Sequence, residues 1–94
     1  MNVRFYINEF TGRPHVLDHG VTPSEVLEAM ARRAEDRAGH SDARVLIGAT
    51  AGGRILRVVY ASDNQSDGVF VIPAYELRGK PLVAFRRRRR ARGG

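Results

Sequence analysis

Residues 44–61 read RVLIGATAGGRILRVVYA, and this stretch decides the fold. Two apolar runs, 44–50 and 54–61, flank a Gly52-Gly53 turn. Because glycine readily adopts the positive φ angles of tight turns, the pattern predicts an antiparallel hairpin. A third apolar run at 68–75 follows a polar loop and extends the hairpin to a three-stranded meander.

A helix is predicted before the hairpin, because the sequence contains a recognisable helix N-terminus. Thr22 is followed by Pro23 and, three positions on, by Glu25, which is the pattern of a capping box with proline in the first turn. We expect this helix to run from Pro23 to about Ala34. A polar loop should follow at 36–42.

An N-terminal strand completes the predicted architecture. Val3, Phe5 and Ile7 recur with the two-residue period of a half-buried strand. The order of elements predicts an α+β fold of two layers, in which this strand and the meander form an antiparallel sheet packed on one main helix. One face of that sheet should stay partly open.

The positive charge of the chain lies at its end. Six of the sixteen Lys and Arg occupy 86–90 and Arg92, and the other ten equal the ten Asp and Glu, so the net charge of +6 belongs to this block. We expect a single domain at 1–85 and a basic C-terminal extension at 86–94. Pro81 favours a short helix that presents the arginines, and a flexible tail is the alternative. Clustered guanidinium groups favour a polyanionic partner, RNA or DNA.

The composition excludes several classes of site. With no cysteine there can be no disulfide, thiolate metal site or cysteine nucleophile. No carboxylate cluster has the spacing of a metal site, so no metal or cofactor is expected. No apolar run approaches the roughly 18 residues of a membrane span, and the start lacks the features of a signal peptide, which predicts a cytoplasmic protein without membrane contact.

Three stretches resemble the BrnT-type toxins. HGVTPSEV at 19–26 is similar to their HGV or HGI entry to a helix, and GRILRVVY at 53–60 to their GR-x-L-x-V-x-Y strand. VIPAYELR at 71–78 looks like their V-I-S-A-R strand end. AYELRGK at 74–80, with the arginine-rich end, also resembles a group of related uncharacterised bacterial proteins.

The resemblance carries an expected function. BrnT-type proteins belong to the RelE-like superfamily, so it implies the toxin of a type II toxin–antitoxin pair. Such a toxin would be a metal-independent endoribonuclease acting on RNA, free or ribosome-associated, with a cognate antitoxin that covers its active face.

Metal-free RNA cleavage needs a base, an acid and cations around the phosphorane. The predicted catalytic residues are His19, Arg57, Arg54 and Arg78. The predicted nucleic-acid-binding residues are Tyr60, Tyr75, Lys80, Arg86, Arg87, Arg88, Arg89 and Arg90. His15 is a second candidate for proton transfer, and His40 is expected to be plain surface.

Each of these residues also has a structural interpretation. His19 could bridge a loop and the sheet, Arg57 could pair with Glu76, and the tyrosines could belong to the core. Two other functions therefore stay open: a non-catalytic nucleic-acid or ribosome-binding module, and a protein-interaction module of the same fold. The sequence leaves the oligomeric state undetermined.

Overall fold

The predicted hairpin is present and occupies the middle of a five-stranded sheet. The computed structural model describes residues 2–65 and 67–93; Met1, Ser66 and Gly94, which the predicted domain and extension include, lie outside the described residues. The strands are β1 (Asn2–Phe5), β2 (Arg33–Ala38), β3 (Arg44–Ala49), β4 (Ile55–Ser62) and β5 (Gly68–Glu76). The helices are α1 (Pro23–Ala31) and α2 (Gly79–Gly93), with a short 3-10 helix at His15–His19.

The sheet is mixed, in the order β1-β5-β4-β3-β2. The strand pairs from β2 to β5 are antiparallel, whereas β1 lies parallel to β5, from Asn2 beside Gly68 to Phe5 beside Val71. The α+β class is therefore confirmed, and the expectation of a wholly antiparallel sheet was wrong at β1. Gly68 permits this pairing because a Cβ there would lie 1.9 Å from the Asn2 carbonyl oxygen.

The start of α1 is the predicted capping box. The Thr22 hydroxyl accepts from the Glu25 N–H at 3.2 Å, and the Glu25 carboxylate accepts from the Thr22 N–H at 3.1 Å. The pKa of Glu25 is lowered, most of all by the hydrogen bond from the Thr22 N–H and next by the hydrogen bond from Arg54. The helix ends at Ala31, three residues before the predicted end at Ala34.

Strand β2 replaces the end of the predicted helix and the first part of the predicted loop. Its residues pair with β3, Arg37 beside Val45 and Ala38 beside Arg44. RAEDRA has no apolar alternation, so nothing in its pattern indicates a strand. The backbone hydrogen bonds that β3 offers along its free edge decide the conformation instead, because unpaired strand edges readily recruit a further strand.

Alternation along the strands divides the core between two faces of the sheet. The first, which we call the α1 face, packs on α1 and the 3-10 helix and holds Val16, Val21, Val26, Ala29, Met30, Leu46, Leu56, Val58, Tyr60, Val71 and Ala74. The helix approaches β3 so closely that a Cβ at Gly48 would lie 2.0 Å from the Ala29 carbonyl oxygen.

The opposite face, which we call the α2 face, is covered in part by the C-terminal helix. Phe85 and Leu82 of α2 pack with Ile47, Leu77 and Ile55. Helix α2 is continuous through residue 86, where the basic extension was expected to begin, so the arginines are helical rather than a flexible tail. The predicted two layers thus gain a partial third one. No helix in the described ranges is long and apolar enough to cross a membrane.

Candidate nucleic-acid interface

Two of the predicted catalytic arginines are held by carboxylates. Arg54 Nη1 donates to both Glu25 carboxylate oxygens, at 2.9 and 2.8 Å, and Arg54 Nε donates to Glu76 at 3.3 Å. Arg78 Nη2 donates to the same Glu76 oxygen at 3.2 Å. The pKa of Glu76 is lowered, most of all by the hydrogen bond from Arg78 and to a smaller extent by Arg54. Arg54 thus ties the start of β4 to α1 and to the end of β5, whereas Arg78, whose side chain is 80% exposed, contacts only Glu76.

Arg57 lies on the other side of the sheet from Arg54. Along β4, Leu56 and Val58 belong to the core of the α1 face, so Arg57 between them points to the α2 face. Its neighbour across the strands is Ile47 on one side and Tyr75 on the other. The single cationic surface expected from Arg54, Arg57 and Arg78 is therefore not formed. The sequence already implied this, because side chains three positions apart in a strand point to opposite faces of the sheet.

The predicted histidine site is better assembled than the predicted arginine site. The rings of His15 and His19, four residues apart along the 3-10 helix, have centroids 5.0 Å apart. His15 Nδ1 lies 3.1 Å from Asp18 Oδ2, and the Asn8 amide donates to that oxygen at 2.7 Å. The pKa of Asp18 is lowered, most of all by the hydrogen bond from the Asn8 amide and to a smaller extent by the hydrogen bond with His15. Two imidazoles and an orienting carboxylate thus share one exposed turn.

A continuous series of rings extends in both directions from this pair. On one side Tyr6 lies 5.9 Å from His15 and 6.4 Å from Phe70, measured between ring centroids. On the other side His19 lies 6.2 Å from Tyr75. We call these five residues (Phe70, Tyr6, His15, His19 and Tyr75) the ring path.

Each end of the ring path has a guanidinium group beside it. Arg4 Cζ lies 4.7 Å from the centroid of the Phe70 ring, and Arg57 Cζ lies 5.9 Å from that of Tyr75. Arg4 is itself oriented by Asp63, to which its Nε and Nη2 donate at 2.6 and 3.0 Å. Cations at these distances interact favourably with an aromatic ring and fix its position.

Sequence reasoning missed the most exposed aromatic side chain of this region. Phe10 is 98% exposed and, with Tyr6 and His15, lines a small surface cavity of about 200 Å³. Tyr6 itself is 40% exposed. An aromatic residue next to the Gly12–Pro14 turn was the available signal, since large apolar side chains in turns have no core to enter.

Tyr60 does not belong to this surface, contrary to the prediction. Only 9% of the residue is exposed, and its ring packs in the core of the α1 face. Its hydroxyl donates to Asp36, which Arg44 also contacts at 2.8 Å. Burial, followed by the hydrogen bond to Asp36, raises the pKa of Tyr60. A base could not stack on this ring without opening the core.

The arginines of α2 divide into one that points inward and several that point outward. Arg88 donates from Nε and Nη2 to the carboxylate of Glu35 at 2.8 and 2.9 Å. Arg86, Arg87, Arg89, Arg90 and Lys80 are exposed. Because Glu35 belongs to the edge strand β2 and the ring path follows β5 and β1, this end of α2 and the ring path lie toward opposite edges of the sheet.

In the part of the chain that is described, no group of three or more His, Asp and Glu side chains could hold a metal ion. Comparison with known proteins found no matching family model, no matching curated protein and no matching solved structure. The relation to BrnT-type toxins therefore stays a prediction.

Proposed function

We propose that the protein binds single-stranded RNA along the ring path. The observation that carries the proposal is the unbroken series of ring contacts from Phe70 to Tyr75, with a guanidinium beside each end. Unpaired bases stack on aromatic side chains, and each stacked base contributes about 1–3 kcal/mol. Tyr6 and Phe10 are 40% and 98% exposed and therefore available for such contacts.

Charge supports the same proposal. The chain carries a net charge of +6, and the outward arginines of α2 hold most of the excess. Lys and Arg side chains attract a phosphate backbone without regard to sequence and make its binding dependent on salt. In this arrangement α2 would supply general attraction, while the ring path would hold the bases.

Fluorescence anisotropy with a labelled single-stranded RNA tests the proposal. The Tyr6→Ala/Phe10→Ala double variant should bind at least about tenfold more weakly than the wild type, as removal of the stacking rings requires. Tyr60→Phe is the matched control, because it alters a tyrosine in the core and should leave RNA affinity unchanged. Equal affinity of the double variant and the wild type would contradict the proposal.

RNA cleavage is a second candidate function, favoured by the geometry of His15 and His19. Imidazole is the side chain best suited to exchange protons near neutral pH. One ring would take the proton of a 2′-hydroxyl, the 2′-oxygen would attack phosphorus, and the other ring would protonate the departing 5′-oxygen. The products are a 2′,3′-cyclic phosphate and a 5′-hydroxyl. Asp18 would orient His15. The toxin role and the antitoxin partner that the BrnT resemblance implies would require this activity.

Cleavage is tested on a labelled single-stranded RNA with chelator present. His15→Ala and His19→Ala should each lower the rate by about two orders of magnitude or more, as removal of an acid or base does. His40→Ala is the control, since His40 lies in the exposed β2–β3 connection. Intact RNA with the wild-type protein, together with normal affinity, would refute cleavage and leave the binding proposal standing.

A further inference from the structure

A groove on the α2 face contains none of the five ring-path residues and meets the ring path only at Arg57, which lies beside Tyr75. It has a volume of about 470 Å³ and lies between α2 and the sheet, with the β2–β3 connection at one end. Val45, Ile47, Val59 and Leu77 form an apolar floor, and Pro81 and Ala84 of α2 form one wall. The volume falls in the range of small-molecule sites, which are mostly apolar with a few polar groups.

Arg57 brings an uncompensated positive charge into this groove. Its Nε is buried and has no hydrogen-bond partner, the one such side-chain atom within residues 2–65 and 67–93. No carboxylate of the described residues forms an ion pair with its guanidinium. The Tyr75 ring, with its centroid 5.9 Å from Arg57 Cζ, supplies only a weak cation–π attraction. A guanidinium half removed from water and without an anionic partner is an unfavourable arrangement.

The other two arginines that line the groove share one carboxylate partner. Arg88 and Arg37 both contact the carboxylate of Glu35, at distances between 2.8 and 3.0 Å. No Asp or Glu is among the lining residues. Arg57 is therefore the one lining arginine without a carboxylate partner, and it lies beside an apolar floor, which matches a ligand with a negatively charged head and an apolar body.

We propose that this groove binds a small amphipathic carboxylic acid. Its carboxylate accepts hydrogen bonds from the terminal nitrogens of Arg57, and its apolar body lies on Val45 and Val59. A planar carboxylate fits the fork of a guanidinium, and it would pair with the one lining arginine that has no carboxylate partner. This site shares only Arg57 with the proposed RNA surface, where that side chain lies beside the Tyr75 ring, and neither Val45 nor Val59 belongs to the ring path.

Titration calorimetry with octanoate tests the site on the full chain. Octanoate should bind saturably with one molecule per chain. Octanol, which lacks the charge, and acetate, which lacks the apolar body, should each bind at least about tenfold more weakly, because each omits one of the two recognised features. Equal binding of octanol and octanoate, or no saturable binding of octanoate, would overturn the proposal.

Two variants assign the binding to this groove. Arg57→Met keeps an unbranched side chain of similar length but removes the charge, and it should weaken octanoate binding at least about tenfold, because the charge-assisted pair can no longer form. Arg32→Met makes the same change at an exposed position after α1 and should leave the affinity unaltered. Ala84→Leu keeps Arg57, fills the groove from a helical position and should also weaken octanoate binding.

Competition separates this site from the RNA surface. A single-stranded RNA should not displace octanoate from the wild-type protein, and octanoate should not change RNA affinity. Displacement by RNA would place the nucleic acid in the groove and overturn the carboxylate proposal. Undiminished octanoate binding by both Arg57→Met and Ala84→Leu would overturn it as well.

Discussion

Arg88 and Glu35 are 53 residues apart in the chain and form a two-point hydrogen-bonded ion pair, with Nε to Oε2 at 2.8 Å and Nη2 to Oε1 at 2.9 Å. The Glu35 side chain is only 7% exposed, and Arg88 is the main cause of its lowered pKa. The pair joins the last helix to the edge strand of the sheet. Arg88 therefore has a structural role within the basic block.

Arg88→Met should lower the melting temperature, because Glu35 would be deprived of its two-point donor while still largely shielded from water. Arg86→Met is the matched control two positions earlier, where the side chain is exposed. It should melt close to the wild type. Circular dichroism melting curves measure both, and equal melting of the two variants would show that the pair adds nothing to stability.

Gly48→Ala should destabilise the fold by about 3 kcal/mol, toward the upper end of overpacking effects. The new methyl group would lie 2.0 Å from the Ala29 carbonyl oxygen, so α1 must move away from β3. Gly52→Ala is the control, because its nearest non-neighbouring atom is Thr50 Oγ1 at 3.9 Å. Urea unfolding measures the difference, and a Gly48→Ala variant as stable as Gly52→Ala would contradict the close approach.

The outward arginines of α2 should set the salt dependence of RNA binding. Replacing Arg86, Arg87, Arg89 and Arg90 together by Gln should flatten the plot of log affinity against log salt. On a single strand the slope should change by about 0.7 for each phosphate that the variant no longer neutralises. Arg32→Gln, outside α2, should leave the slope near the wild-type value. Anisotropy titrations at several salt concentrations provide the slopes, and an unchanged slope in the fourfold variant would mean that α2 does not touch the RNA.

Stability should decline in acid. The pKa values of Asp18, Glu25, Glu35, Asp36 and Glu76 are all lowered in the folded protein. A lowered folded value means that the unfolded chain binds protons first, so the stabilisation is complete above the ordinary carboxyl pKa of about 4 and is lost as pH falls through the lower folded values. Melting temperatures should be level near neutral pH and fall steadily below about pH 4.

Glu25→Gln isolates one part of that acid dependence. The variant keeps an oxygen acceptor for the Thr22 N–H but removes the charge that Arg54 contacts at 2.8 Å. It should be less stable than the wild type at neutral pH, and the difference should shrink as the pH is lowered. A constant difference across the pH range would show that the charge of Glu25 is not what stabilises the fold.

The candidate site was only partly predictable. His19 and Tyr75 were selected from the sequence and do meet, but their partners Tyr6 and Phe70 were not, because a ring path is defined by contacts between strands and turns that lie far apart in the chain. Tyr60 was misassigned because alternation along its strand shows which residues share a face of the sheet but does not show which face α1 covers. Its partner Asp36 lies in β2, a strand that no local pattern announced.

What the sequence by itself determined are the features set by neighbours within a few residues. These are the capped start of α1 at Thr22, the hairpin around Gly53 and the concentration of charge beyond residue 85. The tertiary structure alone decided that 33–38 would form a strand, that β1 would run parallel to β5, and that Arg57 would be left without a carboxylate. The physical reason is range: caps and turns are stabilised locally, whereas strand pairing and ion pairing depend on groups that only the folded chain brings together.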